Sequence, residues 1–254
     1  MKKVNVLFAI MLVALFMTGC QSHSINTDTY KQSYYDNYIA YLNQLEHLET
    51  QAFLHAVKIK IDVSETKTIF GSGVMYQTEG DKTYVLTNYH LVYDESNHQN
   101  ISIIDSLEVQ HQATFVYGHA DYDLAILVFV QNNETYSNLR LLEQPLESPY
   151  GSYISGYPKG ETYQMKYGTF TNYESIELKG DIGEIIQVNF DVMSVRLKSE
   201  SGSSGSAVYD LYGNLIGLVF AGNHIPNGLS ETYMIPSYEI LHFLELYQEQ
   251  KTTS

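Results

Sequence analysis

Ser199-Glu200-Ser201-Gly202-Ser203-Ser204-Gly205-Ser206-Ala207-Val208-Tyr209-Asp210-Leu211-Tyr212-Gly213-Asn214-Leu215-Ile216-Gly217-Leu218-Val219-Phe220-Ala221 opens as a Gly/Ser run and ends in two apolar segments. By composition the opening would suit a flexible linker. The segments Ala207 to Leu211 and Leu215 to Ala221 flank Gly213-Asn214, two residues that tolerate positive φ, and so predict a β-hairpin. A Gly/Ser run feeding directly into a hairpin is a tight loop on a rigid scaffold. A nucleophilic serine needs such a loop: small neighbours, an exposed Oγ, and backbone N–H groups preorganised toward a developing oxyanion.

Outward from this loop the chain is mostly short, alternating or β-branched segments bounded by turn residues. Upstream, Val57 to Val63, Ile69 to Gln77, Tyr84 to Thr87, Ile101 to Val109, Ala113 to Tyr117, Leu124 to Val130, Gly151 to Ser155, Tyr163 to Thr171 and Ile185 to Asp191 read as strands, and Thr232 to Ile235 follows downstream. The expected fold class is all-β, with helices at its two ends. Tyr35, Ile39, Leu42, Leu45 and Leu48 recur at helical spacing before the first strand and predict a face packed on the body, while Ile240, Leu241, Leu244 and Tyr247 mark a closing helix. Two prolines between Leu141 and Pro149 divide the strands into two sets of about six.

Two further segments carry possible chemistry. In Thr87-Asn88-Tyr89-His90 a histidine ends an apolar strand, and in Asp121-Tyr122-Asp123-Leu124-Ala125-Ile126-Leu127 a carboxylate opens one. Taken singly, the first reads as a satisfied core histidine and the second as a strand-end cap. In the order Thr87-Asn88-Tyr89-His90, Asp123-Leu124-Ala125-Ile126-Leu127, Gly202-Ser203-Ser204-Gly205-Ser206, the three resemble the triad motifs of trypsin-like serine proteases, most closely the Deg/HtrA-type branch. Gly71-Ser72-Gly73, Ser155-Gly156-Tyr157-Pro158 and Tyr233-Met234-Ile235-Pro236 extend the similarity over about Val57 to Tyr247.

The resemblance implies two six-stranded antiparallel β-barrels with the site in the cleft between them. It implies Ser204 as nucleophile, His90 as general base, Asp123 as the partner that fixes the imidazole, and backbone N–H groups of the Gly202-Ser203-Ser204 segment as the oxyanion hole. Carried over without gaps from Ser204, the specificity pocket has its base near Lys198, one wall at Phe220-Ala221-Gly222 and a rim near Glu231. Lys198 and Glu231 are expected to pair with each other or to turn to solvent, leaving a short apolar pocket. Ser206 and Ala207 stand where the family has Gly and Pro, and Ser203 replaces its Asn or Asp. No PDZ domain of the kind many Deg-type proteases carry is expected after the last helix. The family also implies that a trimer is possible.

A rival α/β-hydrolase reading has Ser204, Asp210 and His224 or His242 in its chain order, but its G-x-S-x-G elbow fails at Ser206. A catalytically silent surface adaptor or adhesin on a protease-like fold stays open. Against it, no triad residue is missing.

Composition bounds the partners and the compartment. Over 254 residues, 14 Lys and Arg oppose 29 Asp and Glu, and a net charge of −15 excludes a binder that works by neutralising phosphates, so no nucleic-acid partner is expected. The partners expected are protein or peptide substrates, with no cofactor. His47/His55 and His90/His98 lack flanking carboxylates at ligand spacing, so no metal is expected either. Lys2 and Lys3, an apolar run from Val4 to Phe16 and Met17-Thr18-Gly19-Cys20 resemble a bacterial lipoprotein signal, with Met17 in place of the usual Leu. That implies acylation of Cys20, cleavage after Gly19, and a body held on the outward face of a bacterial cell membrane. The expected organisation is a signal peptide over 1–19, a tether over 20–29, a helix over 30–55, barrels over 56–140 and 141–236, and a helix with tail over 237–254.

Overall fold

The computed structural model describes residues 27–94, 100–131, 136–179, 185–186, 188–223 and 230–253. The Cys20 segment lies outside them. Contacts divide the chain into a small unit ending at Asn43 and a large one from Gln44 to Ser254. Helix α1, Thr27–His55, runs through that boundary. Of the predicted apolar face in the small unit, Tyr35 and Leu42 are exposed and Ile39 is half-buried. Leu48 and Ala52, in the large unit, are buried within its main core.

The large unit contains two closed barrels. The first is built from β1 (Ala56–Ser64), β2 (Lys67–Glu79), β3 (Lys82–Thr87), β4 (Ile101–Ile104), β5 (Gln110–His119) and β6 (Leu124–Val130), closed in the order β1-β2-β3-β6-β5-β4. The short strands β9 (Leu178–Lys179) and β10 (Ile185–Ile186) form a separate antiparallel ribbon. The second barrel takes β7 (Tyr150–Gly156), β8 (Gln164–Glu174), β11 (Val192–Val195), β12 (Ala207–Tyr209), β13 (Leu215–Asn223) and β14 (Glu231–Pro236), closed as β11-β14-β13-β12-β7-β8. Every strand pairing within the two barrels is antiparallel, and helix α2, Ser237–Thr253, follows the last strand.

Alternation along the strands sets the cores. Val85, Leu127 and Ile59 point into the first barrel, whereas Leu86, Ile126 and Val74 join Leu218, Phe220, Ile235 and Phe243 in a core shared by both barrels and α2. Leu124 to Phe129 is apolar throughout because both of its faces are covered. The second barrel closes around Phe170, Met193, Val208, Ile216 and Met234.

Three expectations are corrected. The predicted strand Ile101 to Val109 stops at Ile104, because the Asp105 carboxylate accepts the N–H groups of Leu107 and Val109 and turns the chain. The hairpin predicted around Gly213-Asn214 forms, but its first strand ends at Tyr209 and not Leu211, because buried Asp210 accepts from Tyr212 N and Asn214 N at 2.8 and 2.9 Å and closes the turn. Ile185 to Asp191 is not a barrel strand; the barrel takes the following four residues, Val192–Val195, all buried and therefore without alternation.

Buried tyrosines give this fold an alkaline limit. Burial pushes the Tyr157 phenol up to about 12 and raises those of Tyr76 and Tyr209 further. Folding therefore favours the neutral phenols, a contribution present below the ordinary tyrosine value near 10 and lost as pH rises through it toward 12. With 23 Tyr and no Trp, ultraviolet tyrosinate absorbance reports this cleanly. Part of that signal should appear only above about pH 11, in step with loss of near-ultraviolet circular dichroism. Full ionisation with the dichroism intact would refute the burial.

Candidate active site

Strand β3 ends at Thr87, and the next residues form a short 3-10 turn, Tyr89–Leu91, that carries His90. A second 3-10 turn, Ala120–Tyr122, ends on Asp123 in the left-handed region at φ 49°. The two turns dock by backbone bonds: Tyr89 N donates to Asp123 O at 3.1 Å, and the buried Asn88 amide donates to the same oxygen at 3.0 Å. Docking brings the Asp123 carboxylate against His90 at two points. Oδ1 accepts the His90 backbone N–H at 2.8 Å, and Oδ2 lies 2.7 Å from His90 Nδ1. Asp121, two residues earlier, is exposed.

The serine loop reaches this pair through Ser72, on β2. Ser72 is fully buried and all its polar groups are used: its N–H donates to Ser204 O at 2.8 Å, its hydroxyl donates to Gly202 O at 2.9 Å, and its carbonyl accepts the Thr87 hydroxyl at 2.8 Å. One residue thus joins the Ser204 loop to the strand end three residues before His90. Gly205 lies so close that a Cβ there would stand 1.9 Å from Ser72 O and 2.7 Å from Thr87 Oγ1, and its φ of 84° is one only glycine adopts cheaply. Any side chain at position 205 would push the Ser204 loop off β2. In the sequence Ser72 stands within Gly71-Ser72-Gly73, one of the segments that extend the family resemblance, but nothing there shows that it holds the serine loop.

Within the loop, Ser203 N donates to Glu200 O at 3.0 Å and Gly205 N to Val219 O at 2.8 Å. The Ser203 N–H is thereby committed, which removes it from the proposed oxyanion donors and leaves those of Gly202 and Ser204. The Lys159 ammonium lies 3.1 Å from a Glu200 carboxylate oxygen; its hydrogen bond and charge hold that carboxyl below the usual carboxylate range.

Beside Ser204 is a cavity of about 210 Å³ lined by Ser199, Glu200, Ser201, Ser203, Val219, Ala221 and Gly222. Of the expected pocket, Ala221 and Gly222 are present. Phe220 is not, since its ring packs into the shared core, 2% exposed, at an irregularity in the β13–β14 ladder between Val219 and Ala221. Lys198 is exposed and borders a smaller neighbouring hollow, and the Glu231 carboxylate accepts the Tyr233 hydroxyl at 3.3 Å. Among the described residues no ion pair joins Lys198 to Glu231. The floor is hydroxylic instead: Ser199 Oγ lies 1.8 Å from where a Cβ on Gly222 would be.

A buried carboxylate fixing an imidazole at two points, a serine in a glycine-held loop tied to the same strand end, and an adjoining pocket are parts that nucleophilic acyl transfer requires. Comparison with known proteins agrees. Residues 71–218 match the family model for the trypsin-like peptidase domain. A "Serine protease HtrA-like" protein of Staphylococcus aureus is 27% identical over 188 residues, a match covering 67% of this chain. This chain spans about a fifth of that relative, 22% of its length. In three dimensions the fold is similar to the active form of the Rv3671c protease from M. tuberculosis, with a TM-score of 0.64 and 21% identity over 77% of this chain and 81% of that one. It is also similar to the HtrA-type protease AlgW with a tripeptide, with a TM-score of 0.62 and 19% identity over 81% of this chain and 62% of that one.

Proposed function

Since this chain belongs to the trypsin-like peptidase family, we propose that it is a serine endopeptidase that cuts protein or peptide substrates through an acyl-enzyme, held at the outward face of a bacterial membrane by lipid on Cys20. The observation that carries the catalytic part is the two-point contact between Asp123 and His90. With Oδ2 against Nδ1, the imidazole proton resides on Nδ1 and leaves Nε2 as the base. Ser204 Oγ attacks the scissile carbonyl while His90 Nε2 takes its proton; the resulting oxyanion is met by the N–H groups of Gly202 and Ser204, and His90 then returns the proton to the leaving amine. Water repeats the sequence on the acyl-enzyme and frees the carboxylate.

The pocket favours a short uncharged side chain before the scissile bond. Its one acidic lining residue, Glu200, is neutralised by Lys159 and by Lys166 at 3.7 Å, and its remaining surface is hydroxyls with Val219 and Ala221. A peptide-library cleavage profile should show preference for Val, Ala or Leu, with discrimination of no more than about a hundredfold between neighbours in size. A strong demand for Asp or Glu, abolished by Lys198→Ala, would contradict this pocket, as would absence of any serine-dependent cleavage.

The anchor rests on the Lys2 to Cys20 segment alone. Cys20→Ala should release an active, soluble enzyme from the membrane fraction, because acyl chains hold the acidic body there. A mutant still sedimenting with membranes would place the attachment on a protein partner.

A further inference from the structure

The Ser201–Gly202 peptide is the unit whose orientation decides whether Gly202 N–H can serve an oxyanion, and both carbonyls around it are pinned. Ser201 O accepts the Lys159 backbone N–H at 2.5 Å, and Gly202 O accepts the Ser72 hydroxyl at 2.9 Å. In a trans peptide the C=O and N–H point in opposite directions, so holding Ser201 O against Lys159 turns Gly202 N–H away from it. The approach is close: a Cβ on Gly202 would meet Lys159 N at 2.8 Å.

Lys159 sits in the turn Pro158–Gly160, where it and Gly160 are both left-handed, at φ 59° and 68°. This conformation is strained for a lysine and free for a glycine. What the side chain adds is the ion pair to Glu200, the residue whose carbonyl caps Ser203 in the same loop. We propose that Lys159 and Glu200 form a clamp that holds the Ser201–Gly202 peptide with its N–H facing the reacting carbonyl, making Lys159 a positioning residue for the oxyanion hole. The clamp rests on the serine peptidase reading above.

An alkyl fluorophosphonate tests it without knowledge of the natural substrate, because its phosphoryl oxygen must enter the oxyanion hole as Ser204 is modified. Lys159→Gly keeps the backbone and removes the ammonium. It should lower the maximal labelling rate kinact about fivefold, the size of one partly exposed ion pair, leave the half-saturating concentration KI unchanged, and not lower the thermal midpoint. Lys159→Arg should restore the rate. In a Glu200→Gln background, Lys159→Gly should cost nothing more. A raised KI with unchanged kinact, or fully additive losses in the double variant, would overturn the clamp while leaving the peptidase intact. Folded wild-type protein that takes no label at all would overturn both.

Discussion

Ser204→Ala should leave both barrels folded and lower kcat by about six orders of magnitude. The fold is spared because the contacts that seat the loop are backbone ones: Ser72 N–H to Ser204 O, Gly205 N–H to Val219 O, and the Ser72 hydroxyl to Gly202 O. Alanine keeps them all. The chemistry is not spared, since without Oγ the oxyanion donors and His90 have only water to direct at the substrate, and the residual rate is what binding and the hole supply. Steady-state hydrolysis of a peptide cut by the wild type, alongside a thermal melt, checks both halves. Activity above about a thousandth of wild type would place the nucleophile elsewhere.

Asp123→Asn should cost about four orders of magnitude in kcat, again with the fold intact. An asparagine in this pocket would keep its carbonyl on the His90 backbone N–H, where Oδ1 now accepts at 2.8 Å, and would then present its NH₂ to Nδ1, 2.7 Å from the present Oδ2. A donor facing Nδ1 forces the ring proton onto Nε2, the atom that must accept from Ser204. Asp121→Asn serves as the control: its carboxylate is exposed, and its loss should change kcat less than twofold or so. Equal losses from the two variants would show that general electrostatics, and not the tautomer, sets the rate.

How far such a site can be read from residues depends on the kind of contact involved. The order of the His90, Asp123 and Ser204 motifs was legible because each sits at the end of a strongly apolar strand, and strands such as Leu124–Val130 announce themselves by composition. The choice of Asp123 over Asp121 followed from resemblance, and in space it depends on a left-handed residue after a 3-10 turn. The strand ends before Asp105 and Asp210 are not legible, because a strand end and an Asp-closed turn share the same residues until the side-chain bonds are seen. The pocket was only half legible: the irregularity of β13 between Val219 and Ala221 that accompanies the burial of Phe220 has no local signal, and nothing local says that Ser199 sits against Gly222. Ser72 and Lys159 bind the serine loop from distant points in the sequence, and such contacts leave no local pattern.

Fluorophosphonate labelling of the folded protein, with the adduct located by peptide mass spectrometry, reads whether Ser204 is an activated nucleophile beside a formed oxyanion hole, because the probe reacts only where a serine is activated and its phosphoryl oxygen is stabilised. A single adduct on Ser204, absent from both Ser204→Ala and His90→Ala, is the result predicted; an adduct on another serine, or a natively folded protein that stays unlabelled, would contradict it.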